Sequence, residues 1–164
     1  QRDHLVYTNA DLTGAAATGS QAIFAAANDR VDLLASTSYL FELFLSVTNG
    51  ITTCTKALDF SGGTATFTAF RYWAMAQHAA INTTGTAQSS VHVNQAASTV
   101  ILATGTTDWF IAARGGFTVN VAGTFLPQFA FSANPTGTVL IKRGSFIKLT
   151  PVGGTSDIII GPWA

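Results

Sequence analysis

Charged residues are scarce in this sequence. Only 10% of its 164 residues are Asp, Glu, Lys or Arg, whereas soluble proteins ordinarily contain about 25%. The eight acidic and eight basic residues cancel, so the chain has no electrostatic footprint for nucleic acid or for an anionic membrane surface. The low charge also provides little repulsion between copies. Hydrophobic residues make up 48% of the chain, which excludes an intrinsically disordered protein.

Cysteine is almost absent as well. Cys54 is the only one, so the chain can form no internal disulfide and no cysteine-based metal or redox site. We expect Cys54 to be a small buried side chain. The three histidines follow no zinc-binding spacing, although His78 and His92 bracket a long polar loop and would be able to approach each other. We expect no metal and no cofactor.

Long hydrophobic runs are missing too. No apolar run reaches the roughly 20 residues of a membrane-spanning helix, and the longest apolar-rich segment, residues 39–47, is interrupted by Glu42 and Ser46. Residues 1–12 carry polar and charged residues where a signal peptide would need an apolar run. We therefore expect no membrane insertion. Export without such a signal, excision from a longer chain and release by cell lysis remain open.

What the chain does have is period-2 alternation, interrupted by Gly, Asn and Thr clusters. Its strongest example is residues 39–48, where one face carries only large apolar side chains: Tyr39, Phe41, Leu43, Leu45 and Val47. About ten short strands follow one another in this way, which predicts an all-β antiparallel sandwich, with a jelly roll as the natural solution at this size. Residues 22–27 are the only helix candidate and are too short to matter.

Several local features carry separate expectations. Residues 1–20 are interpreted as an N-terminal strand and flexible arm, and residues 21–164 as the jelly-roll domain. Asn49-Gly50 predicts a hairpin turn. Gly115-Gly116 predicts a kink or bulge in its strand. Glu42 is the only glutamate, and we expect it to form a salt bridge with Arg71 or Arg114.

Large side chains on both faces of some strands indicate a second buried surface. A sandwich strand ordinarily places apolar residues inside and polar residues outside. Either some large residues lie singly exposed or under loops, or one sheet packs against sister subunits. We favour subunit packing and expect a homotrimer. The predicted interface residues are Leu40, Phe44, Phe70, Tyr72 and Trp163.

Catalytic motifs are lacking. Glycoside hydrolysis would need two carboxylates held roughly 5–10 Å apart, but the eight acidic residues are scattered, mostly beside turns. The sequence contains no nucleophile elbow, P-loop or dinucleotide-binding motif, so we expect no enzyme. Polar loops with aromatic residues suit binding of a saccharide or protein instead. The candidate ligand contacts are Trp109, Asp108, His78, Asn82 and His92.

Four segments together resemble a known family. They are residues 31–42 (VDLLASTSYLFE), 114–133 (RGGFTVNVAGTFLPQFAFSA), 144–153 (GSFIKLTPVG) and 161–164 (GPWA). They are similar to the jelly-roll domains of tailed-bacteriophage virion proteins, often found at the C-terminus of tail-fibre or tail-tip chains. The resemblance covers nearly the whole chain, and its motifs are structural.

The resemblance implies a trimer of TNF-like sandwiches on the virion surface, in contact with other virion proteins. It implies no active-site residue. We expect a receptor-binding tip, which would contact a glycan or protein of the host surface. A capsid decoration or head-spike protein attached through residues 1–20 is the alternative, because the long N-terminal shaft of a tail fibre is lacking. A bacterial lectin-like adhesin module also fits, since fold does not determine function.

Overall fold

The computed structural model describes residues 2–50, 53–78, 87–103 and 107–154, and these residues form 14 strands and no helix. The expectation of an all-β protein is confirmed, and the larger number of strands reflects several that are only two to four residues long. The strands are β1 His4–Tyr7, β2 Leu12–Gly14, β3 Gln21–Ala22, β4 Val31–Leu33, β5 Ser38–Thr48, β6 Lys56–Asp59, β7 Thr66–His78, β8 Ala87–Val93, β9 Thr99–Leu102, β10 Asp108–Val121, β11 Gly123–Phe125, β12 Gln128–Phe131, β13 Val139–Ile141 and β14 Phe146–Gly153.

Two antiparallel sheets build the sandwich. The larger has the order β1-β14-β5-β10-β7-β8, with β13 and β2 attached beside β5. The smaller has the order β3-β12-β6-β9, and β11 and β4 form a separate pair. Eight of these strands can be renumbered from one to eight in chain order: β1, β3, β5, β6, β9, β10, β12 and β14. In this numbering the larger sheet has the order 1-8-3-6 and the smaller sheet has the order 2-7-4-5. This is the strand order of a jelly roll, and β7 and β8 extend its larger sheet by two strands.

Three long strands form the middle of the larger sheet. β5, β10 and β7 have 11, 14 and 13 residues, against a usual strand length of about 5–6. β10 lies between the other two and pairs with β5 from Asp108↔Thr48 to Thr118↔Ser38 without a break. The uninterrupted register gives the sheet two well-defined faces, one toward the smaller sheet and one away from it.

The inward face holds a core of packed aromatic rings. Phe41 lies 5.2 Å from Phe60 between ring centroids, and Phe70 stacks on Phe117 at 5.0 Å. The inward stripe predicted for residues 39–47 is confirmed, because all five of its side chains are buried. Cys54 is also buried, as expected. Burial of this aromatic surface is the main stabilising contribution to the fold.

The predicted outward position of Phe70 and Tyr72 is wrong. Both side chains are buried in the core between the sheets. The pairing of β7 with β10 places Phe70 opposite Phe117 and Tyr72 opposite Gly115, and this register decides the face. Alternation within β7 alone could not decide which face points inward, because both faces of the strand carry large residues.

Two further local predictions are wrong. β5 is not followed by a hairpin at Asn49-Gly50, because the next strand, β6, belongs to the other sheet. Gly115-Gly116 makes no kink, and the register shifts of β10 occur farther on, from Thr118 to Val121. A Cβ on Gly115 would lie 2.2 Å from the backbone oxygen of Arg71 and 2.5 Å from the Cβ of Tyr72. The glycine therefore allows close approach of β7.

The N-terminal segment takes part in the larger sheet. β1 pairs with β14, from His4↔Leu149 to Tyr7↔Phe146, and β2 pairs with β13. Asp11 forms an ion pair with Lys142, and its carboxylate also accepts a hydrogen bond from the backbone nitrogen of Arg143 at 2.8 Å. These contacts attach residues 4–14 to the sandwich. The domain boundary at residue 20 stays a prediction.

Candidate functional site

The outward face of the larger sheet consists of cross-strand rows fixed by the register. One row is apolar and runs from β1 to β7: Tyr7, Phe146, Phe44, Ala112 and Met75. The adjacent row has three charged side chains at its centre and ends on β8: Leu5, Lys148, Glu42, Arg114, Trp73 and His92. We call the outward side chains of β1, β14, β5 and β10 the outer face.

Aromatic rings cluster on the outer face. Phe44 lies 5.9 Å from Phe110 and 6.3 Å from Phe146 between ring centroids. Tyr7, opposite Phe146, is 59% exposed. Leu5, opposite Lys148, and Leu40, on the far side of Glu42, are 64% and 54% exposed. The predicted outward positions of Leu40 and Phe44 are confirmed, and Phe44 is half-buried by its neighbours. Large apolar side chains exposed on one face are typical of surfaces that contact a partner.

Ion pairs cross the outer face next to the aromatic cluster. The Nε of Arg114 lies 3.3 Å from the Oε1 of Glu42, and the Nζ of Lys148 lies 3.2 Å from the Oδ2 of Asp3. The expected salt bridge of Glu42 is thus confirmed with Arg114. All four side chains remain substantially exposed to solvent, so each pair contributes little to the stability of a single chain.

A shallow groove crosses β10 on this sheet. Trp73 and Met75 form one side, Phe44 and Phe146 form the other, and the small side chain of Ala112 lies between them. Glu42 and Arg114 line one end of the groove. Its apolar walls and charged end would accept a ligand with both an apolar face and polar groups.

Three of the five predicted ligand contacts lie at one end of the sheet. Trp109 pairs directly with His78, and Asp108 is its chain neighbour. The Trp109 indole is only 2% exposed and donates a hydrogen bond from Nε1 to the Oδ1 of Asn49 at 2.6 Å. Asp108 accepts a hydrogen bond from the Oγ1 of Thr48 at 2.8 Å. The structure therefore places Trp109 in the core, where its ring presents no free face to a ligand.

The remaining predicted contacts are not brought to that end. His92 is exposed on β8 opposite Trp73, whereas His78 pairs with Ala87. Five pairs separate the two histidines along β7, which corresponds to about 17 Å, so the anticipated approach of His78 to His92 does not occur. Asn82 and the predicted interface residue Trp163 lie outside the described residues.

The acidic side chains described by the structure mainly support turns and strand ends. Asp29 pairs with Arg30 at 2.7 Å, and this contact holds the pKa of the Asp29 carboxyl below its usual range. Burial alone would raise the pKa of Asp59, but hydrogen bonds from Ser61 and Ser20 outweigh it and leave that pKa lowered. In the described ranges, no group of three or more His, Cys, Asp or Glu side chains is arranged to hold a metal ion.

A lysine lies inside the core near the Trp109 end of the sandwich. Lys56 is fully buried, and its Nζ donates a hydrogen bond to the backbone oxygen of Cys54 at 2.8 Å. Burial lowers the pKa of Lys56, partly offset by Cys54. Buried ammonium groups require such partners because desolvation of a charge is costly. Lys56 is inaccessible from outside, so it cannot contact a ligand on the surface.

Sequence reasoning missed the exposed tryptophan. Trp73 is 44% exposed on the outward face of β7, with Arg71 two residues before it on the same face. The sequence signal was present, since Arg71, Trp73 and Met75 share one parity and Phe70 and Tyr72 the other. Only the register with β10 shows which parity points outward.

The described residues form no helix, and therefore none that is long and apolar enough to cross a membrane. Comparison of the chain with protein-family models, with curated proteins and with solved structures finds no match.

Proposed function

We propose that this chain is a non-enzymatic surface protein of a tailed-bacteriophage virion, which assembles as a homotrimer and forms a receptor-binding tip. The observation that carries the assembly is the outer face, where the Phe44–Phe110–Phe146 cluster continues into Tyr7, and where the exposed Leu5 and Leu40 lie in and beyond the charged row next to it. The jelly-roll strand order and the resemblance of residues 31–42, 114–133 and 144–153 to phage virion domains support the viral setting.

A second copy is the occupant that the outer face fits best. The face mixes apolar side chains with both signs of charge, Glu42 and Asp3 against Arg114 and Lys148. A self-complementary surface needs this mixture, since a face of one sign would repel its own copy. The chain has no net charge to oppose association. In a closed threefold assembly the outer face of each copy would pack against a different surface of the next copy, and ring closure would leave no contact surface of this kind unused.

Light scattering at two protein concentrations tests the assembly. We expect a mass near three times the chain mass of 17.1 kDa. Leu40→Asp places a charge on the outer face and should reduce the mass to that of one chain. The matched control is Val100→Asp, because Val100 is similarly exposed, 49% against 54%, but belongs to the smaller sheet. A wild-type monomer, or equal dissociation by both variants, would contradict the proposed interface.

Adsorption assays test the role on the virion. Fluorescently labelled trimer should bind intact host cells and compete with phage adsorption. Binding to capsids from which this protein has been removed, without binding to cells, would favour the decoration role instead. Deletion of residues 1–20 is unsuitable for this purpose, because it removes β1 and β2 from the larger sheet. Point substitutions on the outer face avoid that loss.

A further inference from the structure

We propose that the β7–β8 hairpin carries a binding site for acidic saccharides, centred on Trp73. The inference rests on the proposed function for its biological setting, since it assigns the chemical class of the receptor. β7 and β8 lie outside the eight jelly-roll strands, at the edge of the larger sheet. We define the hairpin strip as the outward side chains of Arg71, Trp73, Ser90 and His92.

The indole of Trp73 is both exposed and held in place. It is 44% exposed, and its Nε1 donates a hydrogen bond to the Oγ of Ser90 at 2.6 Å. This bond uses the polar edge of the ring, so the part that faces solvent is largely apolar. A pyranose ring presents a matching apolar face of C–H groups. Because the indole is already fixed, binding would lose little side-chain entropy.

Two polar side chains, Arg71 and His92, flank this platform. His92 lies directly across from Trp73 on β8, and Arg71 lies two residues away on the same face of β7, about 7 Å along the strand. Neither forms an ion pair or side-chain hydrogen bond within the described part of the chain, whereas Arg114 and Lys148 on the outer face are paired. Arg71 and His92 therefore offer donors to a ligand directly beside the exposed indole.

The charge of the strip selects the ligand class. Arg71 has no ion-pair partner among the residues that the structure describes, whereas Arg114, across from Trp73 on β10, has its charge countered by Glu42. An unpaired guanidinium binds a carboxylate through two parallel hydrogen bonds. The imidazole of His92 and the hydroxyl of Ser90 can bind sugar hydroxyls. A saccharide with a carboxylate, such as a uronic or sialic acid, satisfies all of these groups together.

Calorimetric titration of the full chain tests the site. The probes are oligogalacturonate and sialyllactose, with galacto-oligosaccharide and lactose as neutral counterparts. We expect an acidic probe to bind at least about tenfold more tightly than its neutral counterpart. Trp73→Ala should abolish binding of the acidic and the neutral probes alike. Arg71→Gln should remove only the preference for the acidic probe. Arg143→Gln, an arginine far from the strip, should leave binding unchanged.

Light scattering of the same samples separates this inference from the proposed function. Saccharide binding by a wild-type monomer would preserve the site but overturn the trimer. A wild-type trimer for which no acidic probe binds more tightly than its neutral counterpart would overturn the site and preserve the trimer. If Trp73→Ala reduces the mass to one chain, the hairpin strip contacts a second copy, and the saccharide site is likewise overturned.

Discussion

Phe41 and Phe44 are the same residue type, three positions apart on β5, and they lie on opposite faces of the larger sheet. Phe41 is buried among the rings of Phe60, Phe70 and Tyr72. Phe44 contacts the rings of Phe110 and Phe146 on the outward face and stays half-buried. The inward face is thus completed within one chain, whereas the outward face is left with apolar surface that a further partner would cover.

Truncation of the two phenylalanines should give the largest contrast. Phe41→Ala should lower the free energy of unfolding by about 3–5 kcal/mol, because it leaves a cavity in a close-packed core. Phe44→Ala should lower the free energy of unfolding of the dissociated chain by less than about 1.5 kcal/mol. Denaturant unfolding at concentrations where light scattering gives the mass of one chain measures both. Equal losses would mean that the two faces are not energetically distinct.

Tyr72 places a hydroxyl group inside the core on the inward face. Its buried hydroxyl makes no well-formed hydrogen bond within the described part of the chain, and burial raises its pKa to about 12 although the nearby Thr99 opposes the shift. In the unfolded state the pKa of a tyrosine is about 10. The folded state therefore keeps the phenol proton to a higher pH than the unfolded state does. Stability should fall as pH rises from about 10 to 12, and by pH 12 the loss should be on the order of 2 kcal/mol.

Tyr72→Phe isolates this effect. The variant should lack that part of the alkaline destabilisation, and near neutral pH it should be about 1 kcal/mol more stable, because it removes an unsatisfied buried hydroxyl. Thermal unfolding of both proteins at pH 7 and across pH 10–12 provides the measurement. A variant less stable than wild type at pH 7 would show that the hydroxyl has a partner in solution.

The Glu42–Arg114 pair should give the smallest effect in a single chain. Both side chains are at least half exposed, so a double-mutant cycle with Glu42→Gln and Arg114→Gln should give a coupling energy of at most about 1 kcal/mol in the dissociated chain. In the assembled form the coupling should be larger, since burial removes solvent screening. Identical coupling in both forms would place the pair outside the subunit contact.

The two faces of β5 were predictable from the sequence because its alternation is unambiguous. Every second residue from Tyr39 to Val47 is large and apolar, and the intervening Glu42 and Ser46 mark the other face. A strand with such a pattern has one register that keeps its apolar stripe in the core. The same alternation placed Leu40, Glu42 and Phe44 on the outward face.

β7 was not predictable in the same way, because Phe67 and Trp73 have one parity while Phe70 and Tyr72 have the other. Its inward face is chosen by pairing with β10, some 40 residues later in the chain, and local patterns contain no information about that pairing. The error at Asn49-Gly50 has a related cause. A strong hairpin signal describes local backbone preference, whereas the jelly roll sends the chain to the opposite sheet at that point.

The pairing of β1 with β14 has a consequence for how the chain reaches this fold. Register pairs such as His4↔Leu149 join residues 145 positions apart, and β5 pairs with both β10 and β14. Chains dominated by such distant pairings fold slowly, in milliseconds to seconds. On the ribosome, β5 emerges long before its partners and exposes apolar side chains on both faces. Synthesis therefore includes an interval in which aggregation competes with folding.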